Sequence, residues 1–60
     1  MDIRERFLKI YSNIPLSLRN EIILVLDGEP ITWNVAYIEI LNKTKNGEKT
    51  LNKLEELELI

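Results

Sequence analysis

Ile3, Phe7, Ile10, Tyr11 and Ile14 recur at steps of four, three, one and three, which lays them along one stripe of a 3.6-residue period. This spacing predicts an amphipathic helix over 2–13. Asp2 is placed to cap it, and the acid-first pairs Asp2 with Arg6 and Glu5 with Lys9 add about 0.2–0.5 kcal/mol each. Pro15 ends the helix, because the residue before a proline is pushed out of the helical region and the proline donates no hydrogen bond. Pro15 also suits the first position of a short helical turn over 15–21. The pattern then changes. Ile22-Ile23-Leu24-Val25-Leu26 is apolar, largely β-branched and five residues long, and Asp27-Gly28 behind it is the dipeptide of a two-residue type I′ turn.

The preferred reading of 21–31 is therefore a two-stranded hairpin. Pro30 is tolerated in the second strand only where its missing N–H faces an unpaired edge. The competing reading carries a helix from Ser17 through Leu26, with Gly28 just past its end. From Trp33 the helical period returns: Trp33, Ala36, Tyr37, Ile40 and Leu41 fit i, i+3, i+4, i+7, i+8 behind Thr32 as N-cap, giving a helix near 33–43. Val35 and Ile38 lie off that stripe and make the helix apolar on a second face. A last helix, near 46–58, opens after Thr44 or Asn46 with Leu51, Leu54, Leu57 and Ile60 as its inner positions. The expected architecture is α+β: an N-terminal helix, a two-stranded β-hairpin and two C-terminal helices, with an all-α four-helix arrangement as the alternative.

Sixty residues make one small domain, 1–60, close to the lower limit for an unaided core, since a chain of this length buries only about 60% of its unfolded surface. Cysteine and histidine are both missing, which removes disulfides, thiolate metal sites and the commonest general base. Dense packing, self-association, or both must compensate. The longest apolar run is five residues where a membrane span needs about 20, so no membrane association is expected. The mixed-charge N-terminus leads into no secretory core, and the chain reads as cytoplasmic.

Little chemistry can be assembled from these residues. Ser12 and Ser17 lack an activating base and read as cap or turn serines. Gly28 and Gly47 are too far apart for a phosphate-cradling loop. The acidic residues Glu21, Asp27, Glu29 and Glu39 do not follow the spacing of a cation-binding loop. The expectation is a protein that is not an enzyme, with no metal, cofactor or small-molecule ligand. Trp33 and Tyr37, with Tyr11, read as core aromatics ahead of a binding platform.

Two function classes remain. The surplus apolar positions Val35, Ile38, Leu59 and Ile60 point to a small module that binds protein, itself included as a homodimer. Lys45, Lys49 and Lys53, with Lys43 before them, form one helical stripe that could contact phosphates, giving the alternative of a nucleic-acid accessory protein. The net charge of −2 and the following Glu55, Glu56 and Glu58 weigh against it. On the last helix the charges also oppose the macrodipole, so packing or a partner surface must favour them.

At Leu18-Arg19-x-x-Ile22, and at Asp27-Gly28-Glu29-Pro30-Ile31-Thr32-Trp33-Asn34-Val35-Ala36-Tyr37, the chain resembles a group of short archaeal proteins of unassigned function. The resemblance implies a compact single domain of cytoplasmic, thermophile origin. It implies no catalytic or binding residue. The usage of Ile, Leu, Lys, Glu and Asn by itself suits a thermophile or an AT-rich genome equally.

Overall fold

The computed structural model describes residues 2–60. Helix α1, Ile3–Ser12, is capped by Asp2, whose carboxylate accepts from the Glu5 N–H at 2.8 Å. A 3₁₀ turn, Leu16–Leu18, follows Pro15. Strands β1, Ile22–Leu26, and β2, Glu29–Thr32, pair antiparallel, so 21–31 is the hairpin and not a helix. Asp27 and Gly28 both have positive φ, 52° and 84°, the type I′ geometry that the Asp-Gly pair favours. Helix α2, Trp33–Leu41, starts directly on β2. Thr32 ends the strand and caps the helix, its hydroxyl accepting from the Val35 N–H at 3.1 Å. Helix α3, Lys45–Glu56, is capped in the same way by Thr44, which accepts from the Gly47 N–H at 2.9 Å.

One core draws on every main element: Phe7 from α1, Leu24 and Ile31 from the hairpin, Ala36 and Ile40 from α2, Leu51 and Leu54 from α3. Ile3, Leu8, Tyr11, Ile23, Leu26, Trp33, Tyr37 and Ile60 pack around it. The Cα radius of gyration, 10.4 Å, is about what a single closed domain of this length requires, so the core is complete without an exchanged element.

The α2–α3 junction is the tightest place in the fold. A Cβ at Gly47 would overlap the carbonyl group of Glu39 and stand 2.9 Å from the Ile40 nitrogen, so glycine is what lets the two backbones meet. Thr44 Oγ1 faces both the Glu39 carboxylate and its carbonyl oxygen. The Arg4 guanidinium donates to the Ile40 carbonyl and ties α1 to the same corner. Buried Thr50 returns its hydroxyl to the Asn46 carbonyl at 2.7 Å, which satisfies the one polar side chain buried in the core among the described residues.

Helices α2 and α3 end alike. Lys43 and Glu58 take positive φ, 56° and 58°, where glycine is the usual occupant. At the first end the Thr44 N–H reaches the Glu39 carbonyl, and at the second the Leu59 N–H reaches Leu54. Both are Schellman closures. The second removes Leu57 from the stripe expected of it: α3 stops at Glu56, and Leu57 is half exposed as its C-cap.

Candidate interaction surface

The two faces of α2 differ less than a helix of so small a domain ordinarily allows. Its inner face carries buried Ala36 and Ile40, flanked by half-buried Trp33 and Tyr37. Its outer face carries Val35, Ile38 and Leu41, spaced three apart along one stripe and all exposed, Ile38 at 55%. Val35 and Ile38 lie where the period places them. Leu41, expected on the inner stripe, instead extends the outer one. The helix turns off at Asn42 and Lys43, so its last side chain finds no layer above it.

The hairpin has a second apolar face. The register shifts between Ile22 and Leu24, so Ile23 is the extra residue of a β-bulge. Through it two consecutive residues, Ile23 and Leu24, pack inward, while Ile22 and Val25 remain outside at 60% and 61% exposure. Val25 faces Pro30 across the ladder, and Ile22 faces Thr32, the cap of α2. Of the C-terminal candidates, Leu59 is exposed, whereas Ile60 packs against the core.

The lysine stripe is placed on α3 as the spacing implies, but two of its members meet carboxylates. Lys49 lies 3.3 Å from Asp27 at the hairpin turn, and Lys53 lies 3.8 Å from Glu56. In the same last turn of α3, Glu55 meets Arg6 of α1 at 3.4 Å. Glu48 in the first turn and Lys53 in the last complement the helix dipole, and of the charges that oppose it Lys49, Glu55 and Glu56 find partners within the chain, each such exposed pair contributing about 0–1 kcal/mol.

Sequence reasoning missed a polar cluster over α1. The Tyr11 ring stacks on Tyr37 at 4.3 Å between centroids, and the Arg19 guanidinium stands 4.5 Å from the Tyr11 ring centre. The Tyr11 hydroxyl donates to Asn34 Oδ1, and Asn34 Nδ2 donates to Asn20 Oδ1, both at 2.7 Å. Asn34 is fixed from its backbone too, its N–H donating to the Arg19 carbonyl at 3.0 Å. The cluster is a clamp: it holds the segment before β1 against α1 and α2. No local signal announces it, because the side chains that meet are 8–26 positions apart.

An open cleft of about 430 Å³ lies between the N-terminal end of α1 and α3, lined by Asp2, Arg4, Lys43 and Glu48 among others. Its charges are of both signs, and Arg4 is already bound to the Ile40 carbonyl. Among the described residues, no three acidic side chains gather as a metal ion would require. Nor is any helix long and apolar enough to cross a membrane. No family model matches the chain, and no curated protein and no solved structure matches it.

Proposed function

We propose that this protein is a small interaction module that associates with itself through its apolar outer surface. One observation carries the reading. Large apolar side chains left exposed among the described residues number nine, against seven apolar residues in the buried core. Single exposed leucines are ordinary on any protein, but here the exposed side chains are grouped. Val35, Ile38 and Leu41 share one face of α2, and Ile22 and Val25 share one face of the hairpin.

Energetics point the same way. A core of seven side chains is small even for a domain of this length, and a two-stranded sheet is marginal in water by itself. Burying a second apolar face against another protomer adds the stabilisation that no disulfide or metal supplies. Light scattering over a hundredfold range of protein concentration, at low and at high salt, tests this. The expected result is the mass of a dimer at the upper concentrations in both salts, since apolar contact is not screened. A monomer throughout contradicts the proposal.

A further inference from the structure

We infer that the second protomer joins at the outer edge of β1, so that two hairpins form one four-stranded antiparallel sheet; this rests on the self-association proposed above. The register fixes which backbone groups are free. A two-residue turn closes on a hydrogen-bonded pair, here Leu26 with Glu29, so the next pair, Val25 with Pro30, turns its backbone groups away from the ladder. The Val25 N–H and C=O therefore point to the open side of β1. Outside the β1–β2 ladder, no backbone hydrogen bond among the described residues reaches them.

The two edges of the hairpin are not equivalent. On β2 the outward position is Pro30, which has no N–H to offer, so that edge is blunted. On β1 the sequence Ile22-Ile23-Leu24-Val25-Leu26 holds no charge and no proline, and its one guard, the bulge at Ile23, leaves the regular stretch from Leu24 to Leu26 open. One open edge and one blocked edge permit a closed pair about a twofold axis and forbid an endless sheet.

Charge selects a second copy of this chain as the occupant. Glu21 precedes β1 and Asp27 follows it, six positions apart and so about 20 Å along the strand. Antiparallel pairing brings each Glu21 to the end where the partner's Asp27 and the partner's Lys49 lie. Lys49, exposed and 3.3 Å from Asp27, then stands between two carboxylates, one from each protomer. Within one protomer Glu21 and Lys49 are too far apart to interact, so any coupling between them must pass through the dimer.

The test compares dimer dissociation constants by sedimentation for the parent and four variants, with circular dichroism confirming the fold of each. Val25→Lys is expected to raise Kd at least tenfold. Glu21→Lys is expected to raise it severalfold, and the double change Glu21→Lys with Lys49→Glu to restore it. Glu21 lies outside the strand and is exposed, so that pair decides the matter should Val25→Lys fail to fold. Val35→Lys with Ile38→Lys probes the other apolar face, and is expected to raise Kd less than Val25→Lys does. A dimer that ignores the β1 and charge changes but is split by the α2 changes overturns the edge assignment and keeps self-association. A parent protein that is monomeric at every concentration overturns both.

Discussion

The α2–α3 junction and the outer edge of β1 are opposite extremes of the same small molecule. At the junction every group has found a partner: Gly47 admits the Glu39 carbonyl, Thr44 caps α3 while facing the Glu39 carboxylate, and Arg4 closes over Ile40. At the edge, two large side chains and the backbone groups of Val25 have none. The junction is largely polar and the edge wholly apolar, but composition alone does not decide which of them is finished. What separates them is topology. The junction joins neighbours in sequence through a short turn, whereas a sheet of two strands has no third strand to finish it. Completion of the fold inside the chain has gone into the helices, and in the proposed dimer a second molecule completes the sheet.

If the junction is as tight as the backbone approach implies, Gly47→Ala breaks it. Helix propensity alone would make alanine the more stable residue by about 1 kcal/mol. The expected outcome has the opposite sign, a loss of about 3 kcal/mol by urea denaturation, because the new methyl meets backbone and not a flexible side chain. Next in size is Thr44→Ala, which removes the cap of α3 and its contacts to Glu39 and is expected to cost about 1–2 kcal/mol in the same assay. Third, Lys43→Gly and Glu58→Gly relieve the left-handed backbone at the two Schellman ends. Each is expected to raise stability by up to about 1 kcal/mol, visible as a higher denaturation midpoint with an unchanged slope. The smallest effect is expected at the edge itself. Val25→Lys in dilute solution, below the concentration at which the proposed dimer forms, is expected to change stability by no more than about 0.5 kcal/mol, since that side chain is 61% exposed. A large loss there would show that Val25 belongs to the core and would erase the contrast.

Much of this arrangement was legible before any coordinates. Asp27-Gly28 behind a β-branched run selected the hairpin over a continued helix, and Asp2 and Thr32 marked two helix starts that the caps bear out. The α+β order of helix, hairpin and two helices follows from those signals. The exposed positions were only partly legible. Val35 and Ile38 stand off the inner stripe by simple periodicity, but the same periodicity places Leu41 and Leu57 inward, because nothing in the sequence flags the helix ends. A left-handed turn made with Lys43 or Glu58 carries no glycine to announce it. The bulge at Ile23 was equally silent, and it alone decides that Ile22 and Val25 face outward while Ile23 and Leu24 face in. Gly47 shows the same limit from the other side. A glycine early in a helix reads as a weak position until the neighbouring backbone it admits is seen.

Hydrogen exchange at the Val25 amide, followed against protein concentration, tests the central claim most directly. The Leu26 amide, inside the intrachain ladder, serves as the internal reference and should be protected throughout. The account predicts that Val25 exchanges freely in dilute solution and becomes protected as the dimer forms, in step with its mass. Free exchange at Val25 in a solution whose mass is already that of a dimer would contradict it.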